Sequence, residues 1–175
     1  GTKPSNYSTF ALAKYTMTTY QRSCLIASGY STGEGKYAYN QIVLWDAGKI
    51  LGGSGDGTNY KYWLGQTSIT LGKTYLFEGH YKSNVSPYLG QIWLNNVSET
   101  TTDLISGTAQ INSGQEYKTS IGTGGESMGN YFQGNLQEII IYCNDQTSNR
   151  SAIATNINSY YSMYATDVDA QAFVN

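Results

Sequence analysis

The most conspicuous catalytic pattern in the sequence is Gly-x-Ser-x-Gly at residues 125–129. In hydrolases this pattern presents a nucleophilic serine, but only on a sharp turn from a strand into a helix and with a histidine base nearby. Here a predicted strand follows the motif, and the single histidine, His80, lies on another predicted strand. In a glycine-rich loop such a match arises easily by chance, so we do not expect a serine hydrolase.

Histidine and cysteine give no convincing metal site. His80 shares the polar face of its predicted strand with Glu78 and Lys82, so we expect a solvated or hydrogen-bonded side chain. Cys24 and Cys143 both fall within apolar runs, and their spacing is unlike that of zinc ligands. We expect two buried free thiols; the alternative is a disulfide, which requires Cα atoms within about 7 Å.

Calcium binding needs oxygen ligands and is a separate question. Asp46, Asp56 and Asn59 lie in or beside predicted loops, and residues 56–59 have a composition that could curl around a hard cation. The alternative is a plain turn with Asp and Gly at their preferred positions. These three residues are the candidate Ca²⁺ ligands, and no other cofactor is expected.

Aromatic side chains near the predicted loop 52–59 suggest a sugar-binding surface. Glycans bind to sheets through flat rings that stack on C–H faces, with polar groups bonding the hydroxyls. The alternative for each ring is that it fills the core or covers the sheet, as aromatics in β proteins usually do. The candidate ligand-binding residues are Trp45, Asn59, Tyr60, Tyr62 and Trp63.

The composition excludes several other functions. Charged residues make up 13% of the chain, about half of the usual share, whereas Gly occurs 20 times and Tyr 17 times among 175 residues. The net charge is −2 and the ten basic residues are scattered, which argues against a nucleic-acid-binding surface. No apolar stretch approaches the length of a membrane span, so we expect no membrane insertion.

Alternating side chains predict an all-β chain. Between residues 75 and 82, tyrosine, phenylalanine and glycine alternate with glutamate, histidine and lysine, which gives one apolar and one polar face. About nine such strands are separated by short glycine-rich turns, and Asn95–Asn96 reads as a tight turn. Two packed antiparallel sheets are the economical arrangement. Eight of the predicted strands have clear bounds, at residues 9–17, 23–28, 37–45, 60–70, 75–82, 91–94, 117–122 and 132–142.

One helix is predicted after the last strand. Residues 144–148 are rich in helix N-cap residues, and an apolar stripe at i, i+4, i+7 and i+11 follows them. The stripe consists of Ile153, Ile157, Tyr160 and Tyr164. We therefore expect one domain over residues 1–164, with residues 165–175 as a linker or the start of a following segment of a longer polypeptide.

Three segments resemble laminin-G-like domains of the concanavalin A-like lectin and glucanase superfamily. Residues 131–142 are similar to the family's final strand, an aromatic residue before Gly-x-Ile/Leu-x-Glu and an apolar run ending in Tyr. Residues 90–97 resemble its hairpin, although Asn96 stands where the family has glycine, and residues 74–81 resemble the preceding strand. The resemblance covers residues 74–164. It implies a jelly-roll β-sandwich with one C-terminal α-helix, and core and turn motifs of this kind say little about function.

The resemblance also defines which catalytic groups to look for. Members that cleave β-glucans carry Glu-x-Asp-x-x-Glu on one strand, because glycoside hydrolysis needs two carboxylates roughly 5–10 Å apart. No Glu-x-Asp occurs here, and Glu78 and Glu138 are the isolated acids of the predicted strands. Glu138 lies on the side of Leu136, Ile140 and Tyr142, so we interpret it as a partly buried structural residue. We therefore expect no enzymatic activity.

The leading hypothesis is a non-catalytic binding module that recognises a glycan or another surface polymer. Residues 167–174 resemble junctions in bacteriophage virion proteins such as tail, fibre or capsid-surface components, so display on a virion or a cell surface is expected. The alternative is a structural virion component, a capsid decoration or fibre subunit. Its sheet faces, with Trp45, Trp63 and Trp93, would then contact further copies or other virion proteins.

Overall fold

The prediction of an all-β chain with one helix near its end is confirmed by a computed structural model, which describes residues 6–29, 38–55, 60–82, 89–105, 119–123 and 131–163. Within these residues the chain forms eleven strands, a short 3-10 turn and one α-helix. The strands are β1 (Asn6–Tyr15), β2 (Ser23–Gly29), β3 (Ala38–Leu44), β4 (Lys49–Gly55), β5 (Tyr60–Ser68), β6 (Thr74–Lys82), β7 (Leu89–Leu94), β8 (Val97–Ser98), β9 (Thr101–Ile105), β10 (Thr119–Ile121) and β11 (Gly134–Tyr142). The 3-10 turn covers Asp46–Gly48, and helix α1 covers Arg150–Tyr161.

The strands form two antiparallel sheets that pack face to face. The five-stranded sheet has the order β11-β1-β6-β7-β8, and the six-stranded sheet has the order β10-β2-β3-β4-β5-β9. Side chains alternate between the two faces of a strand, so each sheet buries one face against the other. The largest buried cluster joins Ile42 and Leu44 of one sheet to Phe77 and Ile92 of the other. The predicted β-sandwich is therefore confirmed.

Glycines on the inner faces make room for large side chains of the opposite sheet. The Trp63 ring of β5 is 5% exposed and lies over Gly90 of β7, where a Cβ atom would overlap the ring. The same ring packs against Tyr81, with 5.7 Å between the ring centres. The sheets can approach closely at this point because Gly90 has no side chain.

Strand β4 corrects the predicted turn at residues 52–59. Gly52 and Gly53 lie inside this strand, not in a loop. A Cβ atom on Gly52 would lie 3.2 Å from Ile92 Cγ1, and one on Gly53 would overlap the Tyr62 ring. Glycine in a strand marks a close approach of other side chains, which a sequence pattern reads as a turn.

The turn at Asn95–Asn96 is confirmed. Both residues have positive φ, 51° and 66°, and they join β7 to β8 as a two-residue hairpin loop. Strand β9, in contrast, was not predicted, because its threonine-rich sequence shows little alternation.

Helix α1 packs on the outer face of the five-stranded sheet. Ala154 and Ile157 are buried against residues of β1 and β6, and Tyr161 packs beside them. Tyr160 corrects the predicted stripe, since it is 80% exposed. At about 100° per residue, Tyr160 lies roughly 90° from the centre of the face defined by the packed residues. Tyr164 lies outside the described residues, and the described part contains no helix with the length and hydropathy of a membrane span.

Both cysteines are free, as predicted, but only one is buried. Cys24 lies within β2, and burial raises the pKa of its thiol to about 12, which makes it unreactive. Cys143 is exposed because the chain leaves the sheet directly after β11. Residues 165–175 lie outside the described residues, so the linker remains a prediction.

The segment between β11 and α1 is tied to β6 by an ion pair. Lys82 Nζ lies 2.6 Å from Asp145 Oδ2, and the Thr147 N–H donates to Asp145 Oδ1 at 3.0 Å. Partial desolvation raises the pKa of Asp145, but the hydrogen bonds from Lys82 and Thr147 outweigh it and lower that pKa to about 2. The ionised carboxylate therefore stabilises the folded chain.

We expect Gly90→Ala to destabilise the sandwich and Gly79→Ala to be tolerated. Both glycines face the core from the five-stranded sheet, but a Cβ on Gly79 would lie 3.4 Å from Ile42, an ordinary contact. Overpacking against Trp63 should cost roughly 1–3 kcal/mol. Urea unfolding monitored by tryptophan fluorescence measures both variants; equal free energies of unfolding would contradict the close approach.

We expect the stability difference between the wild type and Asp145→Asn to depend on pH. A lowered pKa adds stability that is present above the unfolded value of 3.8 and is lost as the pH falls toward about 2. Because the pair is partly exposed, the difference should not exceed about 1 kcal/mol near neutral pH. Thermal unfolding between pH 6 and pH 2 measures it, and a constant difference would contradict the ion pair.

Candidate functional site

The outer face of the five-stranded sheet carries buried charge, and His80 is hydrogen-bonded there, the second of the two alternatives predicted for it. Glu78 is fully buried and His80 is 5% exposed, whereas Lys82 at the end of β6 stays partly exposed. The Trp93 ring packs edge-on against the His80 ring, with 4.7 Å between the centres. Alternation in a sequence shows that a strand has a polar face, but not whether that face meets water or another element.

Arg150, the first residue of α1, supplies the opposite charge. Its Nη1 lies 3.2 Å from Glu78 Oε2 and also donates to the side-chain and main-chain oxygens of Asn96. The guanidinium carbon lies 4.8 Å from the centre of the Trp93 ring. A buried carboxylate is costly unless it is paired and hydrogen-bonded. This contact therefore fixes the start of α1 to the sheet.

Ser8, His80 and Glu78 form a chain that resembles a catalytic arrangement in its residue types. Ser8 Oγ accepts from the Gln146 N–H at 2.9 Å and lies 2.9 Å from His80 Nδ1. If Ser8 donates its own proton to Nδ1, His80 carries its proton on Nε2, which faces Glu78 Oε2 at 3.8 Å. Ser8 and Glu78 are fully buried beneath α1, and a nucleophile must reach its substrate. We interpret the chain as structural; the motif at residues 125–129 lies outside the described residues.

Glu138 is partly buried, as predicted, but its neighbours differ from those expected. A bulge in β11 inserts one extra residue, Gln137, opposite β1. Leu136 therefore packs between the sheets, whereas Ile140 and Tyr142 pack on the side of α1. The predicted common face is therefore confirmed for Ile140 and Tyr142 and wrong for Leu136, because the bulge reverses the alternation.

The outer face of the six-stranded sheet has an apolar centre. Its residues alternate with core residues along β2 to β5, so they point away from the five-stranded sheet. The cluster consists of Cys24, Ala27, Val43, Leu51 and Tyr62. Trp45 and Leu64 lie half-buried at its border. Within the described residues, no helix packs on this face.

A row of polar groups borders this cluster at the end of the sheet where β3 turns into β4. We call it the Trp45 row, and it comprises Arg22, Trp45, Asp46, Lys49, Gln66 and Thr102. The guanidinium carbon of Arg22 lies 3.6 Å from the centre of the Trp45 ring. Its Nε and Nη2 donate to the two carboxylate oxygens of Asp46 at 3.3 and 3.1 Å. The side chains of this ion pair are 46% and 67% exposed, so a ligand can reach them.

The other half of the row is a network around Gln66. Lys49 Nζ donates to Gln66 Oε1 at 3.3 Å, and Gln66 Nε2 donates to Leu64 O at 3.3 Å and Thr102 Oγ1 at 3.0 Å. The main-chain N–H of Trp45 donates to Lys49 O at 2.7 Å, which ties the two halves together. The row thus places an aromatic ring beside donors and acceptors whose positions are already fixed.

The structure separates the aromatic residues that were predicted to bind a ligand. Trp45 and Tyr62 lie on the outer face, although Tyr62 is only 8% exposed. Trp63 is the next residue along β5, so it points into the core and cannot share a face with Tyr62. The backbone of Tyr60 pairs with β4 at the opposite end of the sheet from Trp45. Asn59 lies outside the described residues.

Sequence reasoning missed Arg22, Lys49 and Gln66. They belong to three different strands or turns and meet only because β2, β4 and β5 lie in one sheet. The one available signal was alternation, which places Lys49 on the side of Leu51 and Gln66 on the side of Leu64.

Of the three predicted calcium ligands, the described residues include Asp46, which pairs with Arg22. Asp56 and Asn59 are outside the described residues. In the part of the chain that is described, no three His, Cys, Asp or Glu side chains are grouped to hold a metal ion.

The two Arg–carboxylate pairs provide a matched test of burial. We expect Arg150→Ala to lower the free energy of unfolding by about 3–5 kcal/mol, because it leaves Glu78 buried without an opposite charge. Arg22→Ala removes an exposed pair and should cost at most about 1 kcal/mol. Each arginine lies over a tryptophan and against a carboxylate, so the two variants differ in burial and in the bonds of Arg150 to Asn96. Chemical denaturation measures both variants, and similar losses would contradict a structural role for the buried pair.

No protein-family model matches the sequence, and no curated protein does. Solved structures match its fold. A heptameric SAP-like pentraxin from Limulus polyphemus has a TM-score of 0.59 and 14% identity, over 85% of this chain and 70% of that chain. The CBM40 of a Ruminococcus gnavus sialidase, bound to α2,3 sialyllactose, has a TM-score of 0.61 and 12% identity, over 85% of this chain and 81% of that chain. Domains LG4-5 of the mouse laminin α1 chain have a TM-score of 0.55 and 12% identity, over 81% of this chain and 37% of that chain.

At these identities the similarity shows the fold alone. The neighbours are lectin-like, carbohydrate-binding and laminin-G domains, so the resemblance to laminin-G-like domains is confirmed at the level of the fold. The chain is an antiparallel β-sandwich whose fold is similar to the folds of these lectin-like and carbohydrate-binding domains.

Proposed function

We propose that this domain is a glycan-binding module whose ligand lies on the outer face of the six-stranded sheet, along the Trp45 row. The observation that carries the proposal is the half-buried Trp45 ring, which stands beside the exposed Arg22–Asp46 pair on the outer face of this sheet. On the opposite sheet, the comparable tryptophan, Trp93, is 5% exposed and lies under Arg150.

The chemistry of the row suits a sugar. A pyranose or furanose presents C–H faces that pack on an aromatic ring, and hydroxyl groups that both donate and accept hydrogen bonds. Asp46 offers acceptors, Arg22 and Lys49 offer donors, and Gln66 offers an amide oxygen with one free lone pair. Because these groups already hold one another, binding should cost little side-chain entropy.

Binding without catalysis is consistent with the positions of the two acids of the predicted strands, Glu78 and Glu138. Glu78 is committed to its buried ion pair, and Glu138 lies on the other sheet from the Trp45 row. The sialidase module that shares the fold was solved with sialyllactose bound, which supports a glycan as the ligand class.

Three finer points rest on the sequence and remain proposals. Display outside a cell, on a virion or a cell surface, is proposed from composition and from the resemblance of residues 167–174. Assembly with further copies of the chain or with other virion proteins is proposed as the alternative function. A role for Ca²⁺ is proposed through Asp46, Asp56 and Asn59.

Trp45→Ala tests the proposal, with Tyr160→Ala as the matched control. Tyr160 is also an exposed aromatic, but it lies on α1 behind the other sheet. We expect Trp45→Ala to weaken glycan binding at least tenfold, equivalent to about 1.4 kcal/mol, and Tyr160→Ala to leave it unchanged. Titration calorimetry against neutral and sialylated oligosaccharides measures both. The proposal fails if the wild type binds none of the panel, or if both variants bind equally well.

A further inference from the structure

Strand β5, which carries Gln66, pairs irregularly with β4, and Glu99 forms hydrogen bonds with the irregular part. In the pairing of β4 with β5, Lys49 faces Ser68 but Leu51 faces Leu64. One residue of β4 therefore stands opposite three residues of β5, so β5 contains two extra residues. A bulge of this kind turns backbone N–H groups away from the ladder and leaves them in need of another acceptor.

Glu99 supplies that acceptor. Its Oε2 accepts from the backbone N–H groups of both Gln66 and Thr67, at 3.0 and 2.9 Å. Glu99 lies between β8 of one sheet and β9 of the other, and its own N–H donates to Ile92 O at 3.0 Å. A carboxylate that accepts two backbone N–H groups makes strong, charge-assisted hydrogen bonds.

Gly65 allows the carboxylate to come this close. A Cβ atom at residue 65 would stand 2.9 Å from Glu99 Oε2 and 3.4 Å from the Ile50 carbonyl oxygen. The missing side chain of Gly65 therefore leaves space for the Glu99 carboxylate, which accepts the hydrogen bonds of the bulge.

The bulge places the Gln66 amide on the outer face and its neighbours fix its orientation. Lys49 Nζ can only donate, so it selects the amide oxygen, and Leu64 O can only accept, so it selects the amide nitrogen. The second amide hydrogen goes to Thr102 Oγ1. Both hydrogens of Gln66 are used, and its oxygen keeps one lone pair beside the ammonium group of Lys49.

We infer that Glu99 is a positioning residue for the Trp45 row: it touches no ligand, but by holding the bulge it sets where Gln66 and Lys49 meet a sugar hydroxyl. The inference rests on the proposed function, because it concerns the same site. It adds that the affinity of the row depends on a carboxylate that the ligand never contacts.

Amide exchange followed by NMR tests the position of the bulge without any ligand. The backbone N–H groups of Gln66 and Thr67 should exchange at least tenfold faster in Glu99→Ala than in the wild type. Glu99→Gln keeps an oxygen acceptor and should restore most of the protection. Gly65→Ala crowds the carboxylate without removing it, and should accelerate exchange of the same two N–H groups by a smaller factor. Unchanged exchange in both Glu99→Ala and Gly65→Ala would overturn the inference, whatever the protein binds.

Calorimetry with lactose, arabinotriose and α2,3 sialyllactose as probes tests the effect on binding. Glu99→Ala should weaken binding to the same degree as Gln66→Ala, and the double variant should bind no worse than either single variant. Gln91→Ala is the control, because this exposed glutamine makes a similar contact, to Ser98, on the other sheet. If exchange accelerates but affinity stays at the wild-type value, the positioning role is refuted. If the wild type binds no probe, the proposed function fails, and the exchange measurement still decides whether Glu99 holds Gln66.

Discussion

The buried carboxylate of Glu78 determines how the two outer faces of this sandwich differ. A carboxylate with no exposure requires an opposite charge, and Arg150 at the start of α1 provides it. Once the first residue of the helix is fixed there, Ala154 and Ile157 close the apolar part of the same face. The five-stranded sheet is thereby sealed on both sides. The surface that we propose as the binding site lies on the other sheet, at the exposed Arg22–Asp46 pair beside the apolar cluster.

Much of the fold could be predicted because alternation is a property of the chain itself. It identified most of the strands, placed Trp93 on the face opposite Ile92, and marked the Asn95–Asn96 turn. The candidate site could be predicted only in part. Trp45 and Asp46 lie on the Trp45 row, but Trp63 was grouped with its neighbour Tyr62 although consecutive strand residues face opposite ways. That grouping followed proximity in sequence, whereas a binding site follows proximity in the sheet.

The other differences between sequence and structure come from features that reverse or hide alternation. The bulge in β11 moves Leu136 into the core while Ile140 stays outside, and the bulge in β5 brings the N–H groups of Gln66 and Thr67 to Glu99. Neither bulge has a composition that a single sequence reveals, because its energy depends on a partner from another strand. Gly53 was read as a turn for the same reason: the Tyr62 ring that requires its missing side chain belongs to the neighbouring strand.

The two sheets carry the same arrangement of arginine, tryptophan and carboxylate, buried on one sheet and exposed on the other. Each outer face has an arginine over a tryptophan and against a carboxylate, Arg150 with Glu78 and Arg22 with Asp46. Where α1 excludes water, the two charges depend on each other and on Asn96 for their partners, so the contact holds the fold together. Where the pair is exposed, water competes for every donor and acceptor, and the net stabilisation is small. An exposed pair of this kind can exchange that water for sugar hydroxyls without unfolding anything, which is the property a binding surface requires.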